Sequence, residues 1–261
     1  MAYRAAILGH KDYFKGKTVL DVGAGTGILS VFCAQAGAKK VYAVEASAIA
    51  RQAQKIVTAN GFADVIEVLN DKLENIELPQ KVDIIVSEWM GYFLLYESMF
   101  ESVIYARDNW LVEGGLMMPS RATLYLAAIS DEQFVKDRVT FWSDASALYG
   151  LDLTSMQDMA RESTLKDVHV EWLEPESVIA RPKKIKTIDC YTVTVDTLRQ
   201  TVTSFTLTSM IRGSFTGFGA WFDVDFQRPR NYIDPFWKTL KLTTSPDYKP
   251  THWKQRTFGR V

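Results

Sequence analysis

The chain has 261 residues, of which 47% are hydrophobic and 23% charged, enough for one large or two modest globular domains. Its formal net charge of -1 argues against a basic nucleic-acid-binding surface. The sequence has neither an apolar run long enough to span a bilayer nor a charged start followed by an apolar leader. We therefore expect an intracellular protein of the cytoplasm, the nucleus or both, with no membrane partner and no direct nucleic-acid partner.

The cysteines and histidines show no metal-ligand spacing. Cys33 falls on a predicted helix face and Cys190 in a predicted strand, so we interpret both as small core residues of a protein in a reduced compartment. His10, His169 and His252 form no paired motif, and no metal is expected. The basic run at residues 181–186 is interpreted as a solvated turn before a strand.

Residues 17–120 alternate short apolar runs with helical periodicity, which is typical of β-α units on a parallel sheet. The predicted glycine cap Asn60-Gly61 and the pair Gly114-Gly115 each follow a helix. The pattern predicts a doubly wound α/β fold with strands buried on both faces. In chain order the elements are strand 18–22, helix 29–36, strand 40–44, helix 49–57, strands 66–69 and 82–86, and helix 99–110.

The pattern changes at Pro119, after which β-branched and aromatic residues alternate with period two. Residues 220–226 predict a half-solvated antiparallel strand, and residues 191–195 predict another strand. We therefore expect a first domain at 1–119 and a β-rich domain at 120–261. Within the second domain, a polar segment at about 138–165 carries scattered apolar side chains. It is either a set of helices packed on its own domain or an arm that docks on another subunit.

The segment V-L-D-V-G-A-G-T-G-I-L-S at 19–30 predicts a strand, a tight glycine turn and a helix start, an arrangement that lets backbone N–H groups approach a ligand. Its third glycine, Gly27, comes one residue earlier than the dinucleotide fingerprint requires, which disfavours NAD. Glu45 ends the second strand, where an acidic residue binds ribose hydroxyls. With no basic residues for phosphates, the site favours a nucleoside-like cofactor, S-adenosylmethionine.

Two further carboxylates lie at the same predicted sheet edge. Glu74 follows the third strand and would meet the adenine amino group, or it is an ordinary surface carboxylate. Asp21 either organises the glycine turn as a polar strand end or faces the positively charged end of the cofactor.

Glu88 and Glu97 bracket an aromatic loop, S-E-W-M-G-Y-F-L-L-Y-E at 87–97, directly after strand 82–86. Open α/β sheets bind ligands at this end of their strands. Carboxylates among large apolar side chains require a cation, and the planar guanidinium of arginine suits such a pair. The alternative is that Glu97 is a helix N-terminal carboxylate and Glu88 a loop end.

With these features the chain resembles the protein arginine methyltransferase family over nearly its whole length. Residues 19–30 resemble the cofactor loop of that family, residues 87–97 its double-glutamate hairpin, and Thr251-His252-Trp253 the THW loop of its β-barrel domain. The resemblance implies a class I methyltransferase Rossmann-like sheet, then a β-barrel domain with an inserted helical dimerisation arm. It also implies a homodimer that uses S-adenosyl-L-methionine and methylates arginine-containing proteins such as Arg/Gly-rich segments or histone tails.

The match assigns roles to individual residues. Glu88 and Glu97 correspond to the catalytic pair, and His252 is a candidate proton acceptor or a partner that orients a carboxylate. Met90 and Met99, with the THW loop, resemble the type I branch, which makes monomethyl and asymmetric dimethylarginine. The cofactor positions are Asp21, Gly23, Gly25, Glu45, Leu73 and Glu74, and the substrate-channel positions are Trp89, Met90, Tyr92, Met99 and Trp253.

The chain departs from the family at both ends. The family places a helix with an aromatic pair and a cofactor-binding arginine before the first strand, and we expect this chain to begin too late to contain it. We also expect it to end before the barrel is complete.

Two other functions remain open at this point. One is a small-molecule methyltransferase with the same cofactor site, which a closed apolar pocket would favour. The other is a catalytically silent scaffold that binds partners through the barrel and the arm.

Overall fold

The computed structural model describes residues 2–229 and 231–259. The first part of the chain forms a parallel sheet covered by helices. Its elements are α1 Ala2–Gly9, α2 Lys11–Phe14, β1 Thr18–Val22, α3 Ile28–Gln35, β2 Lys40–Val44, α4 Ala50–Ala59, β3 Ile66–Leu69, β4 Val82–Val86, α5 Phe100–Trp110 and β5 Leu111–Met118.

The five strands of this sheet follow the order β3-β2-β1-β4-β5, and every neighbouring pair is parallel. The chain therefore winds outward from β1 in both directions, and the strand order reverses between β1 and β4. A crevice forms at such a switch point beside the carboxyl ends of the strands. The predicted doubly wound α/β fold is confirmed, and β1 is buried along its whole length, as predicted.

Two helices, α1 and α2, precede β1. In α1, Tyr3, Ala6 and Ile7 are buried and form one apolar face, which packs against α3. Spacings of three and four residues place such side chains on the same side of a helix.

The sequence pattern also did not predict strand β5. Gly114 and Gly115 are expected to follow a helix end, but they lie inside this strand. A Cβ at Gly115 would lie 2.8 Å from the carbonyl oxygen of Asp83 in β4. Glycine is needed here because the two strand backbones approach closely at a shift in register.

The rest of the chain forms an antiparallel, barrel-like sheet of order β7-β11-β9-β6-β8, with β10 paired to β9. Apolar residues of β6 and β9 join the same core as the parallel sheet. The elements are β6 Arg121–Ile129, α6 Glu132–Val135, α7 Phe141–Tyr149, α8 Ser155–Lys166, β7 Val168–Glu171, β8 Lys183–Asp189, α9 Val195–Arg199, β9 Gly217–Phe226, β10 Leu240–Thr243 and β11 Gln255–Phe258.

Three predictions for this part are wrong. Strand 220–226 is not half-solvated, because Trp221 packs into a second apolar cluster and is only 4% exposed. Residues 191–195 do not form a strand: residues 191–194 lead through a turn into α9, which begins at Val195 and whose first turn is capped by the hydroxyl of Thr194. The basic run is not a turn, since its lysines lie within β8, an edge strand that exposed lysines protect from further pairing.

The predicted arm segment is helical. Helices α6, α7 and α8 and the π-helical turn Lys136–Thr140 connect β6 to β7. Several large apolar side chains of this segment remain outside the core, and Leu148 is 78% exposed. The exposed set is Phe141, Leu148, Tyr149, Leu151, Met159 and Leu165.

Cys33 and Cys190 are both buried with free thiols, as expected of core residues, although Cys190 lies in the turn after β8 and not in a strand. Within the described residues, no helix is long and apolar enough to cross a membrane. The same part of the chain contains no group of three or more His, Cys, Asp or Glu side chains arranged to hold a metal ion.

Candidate active site

A cavity of about 440 Å³ opens at the carboxyl ends of β1 and β2 and beside the segment after β3. Five of the residues predicted to contact a cofactor or substrate line it: Gly23, Glu45, Leu73, Glu74 and Met99. The remaining lining residues are Val22, Val44, Ala46, Asp71, Lys72 and Ser102.

The glycine turn has a backbone that other residues rarely adopt. Gly23, Gly25 and Gly27 have φ angles of +71°, +56° and +81°, in the left-handed region where a Cβ is unfavourable. At Gly23 a Cβ would also lie 2.0 Å from the terminal methyl of Met99. The turn thus requires glycine, and it brings Met99 against the cavity.

Glu45 fixes the glycine turn to the end of β2. One carboxylate oxygen accepts a hydrogen bond from the Gly25 N–H at 2.9 Å, and the other accepts from the Ser47 N–H at 2.8 Å. Partial burial opposes ionisation, but these hydrogen bonds outweigh it and hold the pKa of Glu45 below its usual value. The carboxylate is therefore ionised and oriented at the cavity wall.

Asp21 lies behind the turn and is fully buried. Its Oδ2 accepts a 2.6 Å hydrogen bond from the Ser30 hydroxyl, while Oδ1 has no hydrogen-bond partner among the described residues. Burial raises its pKa to about 7 against the effect of Ser30, and the charge of Glu45 raises it further. An unpaired buried carboxylate oxygen is costly, so a positive group nearby would stabilise the ionised form.

The cavity is acidic. Among the described residues, Glu45, Asp71 and Glu74 line it, against a single basic residue, Lys72. The prediction that no basic residue lies here is therefore wrong for Lys72, although carboxylates outnumber it three to one. Such a wall disfavours a pyrophosphate and suits a neutral or cationic ligand. Glu74 accepts a 2.7 Å hydrogen bond from the Ser102 hydroxyl of α5. This bond holds the Glu74 carboxylate at the cavity.

Glu88 lies two residues beyond β4, at the predicted end of the strand. It is half-buried, and its Oε1 is buried without a hydrogen-bond partner in the described part of the chain. Burial raises the pKa of Glu88 to about 7, opposed by a backbone hydrogen bond from Met90 and aided by the charge of Glu97. The two carboxylates are therefore close enough to repel each other.

Glu97 is exposed, and its side chain lies against Gly91, where a Cβ would come within 2.6 Å of the Glu97 Cγ. Three residues of the loop, Phe93, Leu94 and Ser98, have positive φ angles between 54° and 67°. Such strain persists only where the surrounding structure holds the backbone. A bridge between Gly91 and Leu94 closes the loop as a tight hairpin.

The second sheet holds the inner half of this hairpin. The indole N–H of Trp253, in the T-H-W segment, donates a 2.6 Å hydrogen bond to the carbonyl of Met90. From the other side, the Tyr3 hydroxyl donates to the carbonyl of Ser87 at 2.8 Å and contacts the sulfur of Met90 at 3.4 Å. The residues flanking Glu88 are thus fixed from both the barrel-like sheet and α1.

A family model described as the arginine methyltransferase oligomerization subdomain matches residues 120–259. Another, for the ribosomal protein L11 methyltransferase, matches residues 10–124. Protein arginine N-methyltransferase 6 of Danio rerio is 50% identical over 254 residues, covering 97% of this chain and 70% of that protein. This chain belongs to the protein arginine methyltransferase family. The enzyme of the same name from Xenopus laevis is 46% identical, covering 97% of this chain and 72% of that protein.

Solved structures of arginine methyltransferases share the fold. The Trypanosoma brucei PRMT1 enzyme–prozyme heterotetrameric complex with AdoHcy has a TM-score of 0.85 at 36% identity, covering all of this chain and 77% of that one. Arabidopsis thaliana protein arginine methyltransferase 10 has a TM-score of 0.83 at 40% identity, covering 98% of this chain and 78% of that one. A PRMT6–SAH structure has a TM-score of 0.70 at 28% identity, covering 98% of this chain and 82% of that one.

Not every predicted position of this arginine methyltransferase faces the site. Trp89 is 2% exposed and stacks on Phe100 in the core, so it does not form an open channel wall. His252 is exposed and lies against the ring of Trp253. Within the described residues, no hydrogen bond joins it to either glutamate. Tyr92 is partly exposed at the outer half of the hairpin.

Sequence reasoning missed several residues of the site. Asn70 donates a 2.8 Å hydrogen bond to the carbonyl of Glu45, and its place directly after β3 is a signal that would have found it. Ser87 donates to the carbonyl of Val22 at 2.7 Å and joins β4 to the glycine turn. Tyr3 carries no such signal, since its partners are 84 and 87 residues away in the chain.

Proposed function

We propose that this arginine methyltransferase uses S-adenosyl-L-methionine and transfers its methyl group to a guanidino nitrogen of arginine in protein substrates. The observation that carries this proposal is Glu88, a half-buried carboxylate with an unpartnered oxygen beside Glu97. A planar cation satisfies both carboxylates at once. The acidic cavity at the adjacent strand ends, about 440 Å³ in volume, provides the cofactor site.

The cavity residues fit this cofactor by their chemistry. Glu45 is ionised and held at the end of β2, where it would accept hydrogen bonds from ribose hydroxyls. Glu74 would accept from the adenine amino group. The unpaired Oδ1 of Asp21 would be stabilised by a nearby positive charge. Gly23, Gly25 and Leu73 would form the contacting backbone and apolar surface.

Arginine is a poor nucleophile because its guanidinium is protonated and its lone pairs are delocalised. We propose that Glu88 accepts two N–H hydrogen bonds and orients the guanidinium plane, while Glu97 holds positive charge on one part of the group. The remaining terminal nitrogen then recovers lone-pair character and faces the cavity. When bound, the cofactor supplies an electrophilic methyl group on a sulfonium.

Other residues complete the proposed site. Met90 and Met99, with the THW loop, resemble the type I branch of the family, and on this basis we propose the type I products, monomethyl and asymmetric dimethylarginine. Tyr92 and Trp253 would line the channel, with Trp89 supporting it from the core. His252 would accept the proton that the nitrogen loses or would orient a carboxylate.

We propose a homodimer formed through the helical arm, with the domain boundary between residues 119 and 120. The exposed apolar side chains of α7 and α8 support this, because a monomer rarely exposes so many together. Arg/Gly-rich segments and histone tails are the substrates that we propose.

The test is methyl transfer from labelled S-adenosylmethionine to an Arg/Gly-rich peptide, with products separated by mass spectrometry. We expect monomethyl and asymmetric dimethylarginine from the wild type. Glu88→Gln should lose transfer by roughly a hundredfold or more, because a charged partner of the guanidinium is removed, while calorimetry shows unchanged cofactor binding. The exposed Glu77→Gln is the matched control.

Three outcomes would contradict the proposal. Near-normal turnover by Glu88→Gln would remove the role of this carboxylate. Absence of cofactor binding to the wild type would favour a silent scaffold. Methylation of small guanidines but not of peptides would favour a small-molecule enzyme.

A further inference from the structure

Strand β11 presents two different faces to its surroundings. Gln255 and Thr257 are buried, whereas Arg256 and Phe258 lie on the opposite face and are half-buried. The strand is paired on both sides, since it is hydrogen-bonded between β7 and β9. Its backbone is therefore a rigid support for the side chains that it carries.

The outer half of the double-glutamate hairpin rests on this second face. The guanidinium carbon of Arg256 lies 5.4 Å from the ring centre of Tyr92 and 5.4 Å from that of Tyr96. Phe258, two residues further along the strand, meets Phe93 edge to face at 6.1 Å. All three aromatic side chains of the hairpin tip thus contact two neighbouring side chains of one strand.

The contact with Arg256 depends on the guanidinium group. The Nε of Arg256 is buried and has no hydrogen-bond partner among the residues that the structure describes. The rings of Tyr92 and Tyr96 supply the attraction, since a cation is drawn to an aromatic face. A planar guanidinium stacks on such rings, whereas the ammonium of lysine is a compact, strongly hydrated charge.

The hairpin requires support at this place. Its positive φ angles fall at Phe93, Leu94 and Ser98, on both sides of Glu97. Glu97 is itself exposed, and no hydrogen bond fixes its carboxylate within the described part of the chain. Because Tyr96 precedes Glu97 directly, the position of the Tyr96 ring limits where the Glu97 carboxylate can lie.

We propose that Arg256 is a positioning residue for Glu97. By stacking on Tyr92 and Tyr96 it holds the outer half of the hairpin against β11, while Tyr3 and Trp253 hold the inner half. The barrel-like sheet thereby sets the distance between the two carboxylates. Arg256 acts through the hairpin and takes no part in the chemistry.

The structural part is tested by amide hydrogen exchange, measured by mass spectrometry on the cofactor-free protein. Arg256→Met should speed exchange over residues 92–98 roughly tenfold, the factor that loss of a partly desolvated cation–π contact produces. Exchange in β1 should not change. Arg256→Lys should give an intermediate effect, and Arg212→Met, at an exposed site, should give none.

The kinetic part rests on the proposed function. Arg256→Met should raise KM for an Arg/Gly-rich peptide and lower kcat/KM roughly tenfold, with cofactor affinity unchanged. Adding Tyr96→Ala to Arg256→Met should cost little more than Arg256→Met alone, because both changes remove the same contact.

Unchanged exchange over residues 92–98 in Arg256→Met would overturn the proposal. Faster exchange with unchanged kcat/KM would overturn the positioning role. If Arg256→Met shows no cooperative melting, Arg256→Lys replaces it and the same two outcomes decide. A wild type that transfers no methyl group would overturn the proposed function and the positioning role, while the exchange data would still decide whether Arg256 holds the hairpin.

Discussion

Replacing Glu88 with glutamine should stabilise the protein above pH 7 while removing its activity. In the folded chain, burial and the charge of Glu97 raise the pKa of Glu88 from 4.5 to about 7. The folded state therefore holds the protonated form more tightly than the unfolded state does. Stability contributed by this group is complete below about pH 4.5 and is lost as the pH rises to about 7.

The size of the effect follows from the pKa. A change from 4.5 to about 7 corresponds to about 3 kcal/mol when the group is fully ionised. Because the side chain is only half-buried, solvent screening reduces the expected value to about 2 kcal/mol. For a chain of this size, such a difference raises Tm by about 4–8 °C.

The assay is scanning calorimetry of wild type and Glu88→Gln from pH 4.5 to 8.5, without cofactor or peptide. The two melting temperatures should converge near pH 4.5, and the variant should melt higher at pH 8. Asp21 also titrates near neutral pH, but it is present in both proteins and cancels. The exposed Glu77→Gln should show no such divergence. A difference that is independent of pH, or a variant less stable at pH 8, would refute the reasoning.

Two further predictions concern the cofactor turn and the arm. Gly23→Ala should weaken cofactor binding at least roughly tenfold in calorimetry, because its methyl would drive the Met99 side chain into the cavity. Gly61→Ala has a similar φ of +75° with open space around it, and equal loss there would contradict the steric explanation. Leu148→Glu should convert a dimer to a monomer in light scattering at micromolar concentration without lowering Tm, whereas Val202→Glu, 98% exposed outside the arm, should not. A wild type that is already a monomer would remove the arm from the proposal.

Local patterns predicted the parallel sheet well. The bounds of β1, β2, β3 and β4 are those expected from the sequence, since strands buried on both faces produce continuous apolar runs that turn residues interrupt. The glycine turn and Glu45 were also predictable, because the carboxyl ends of parallel strands meet at one edge.

Local patterns failed where a competing local signal or long-range packing outweighs them. Residues 191–195 alternate like a strand, yet the Thr194 cap and the adjoining helix prevail. Gly114 and Gly115 resemble a helix end, but both lie inside β5, where the close approach of β4 requires glycine at position 115. The alternation at 220–226 suggests a solvated face, but Trp221 on that face is buried in a cluster that includes Leu173, which is distant in the chain.

The amino-acid sequence alone determined the fold class, the family and the carboxylates Glu45, Glu88 and Glu97, because these depend on residue identity and short spacing. Only the tertiary structure decided which groups hold those carboxylates in place. Tyr3 and Trp253 form hydrogen bonds with hairpin residues that lie 84 and 163 positions away in the chain. Arg256 reaches the hairpin through the rings of Tyr92 and Tyr96. Contacts between such distant residues arise from the packing of one sheet on the other, which no local pattern encodes.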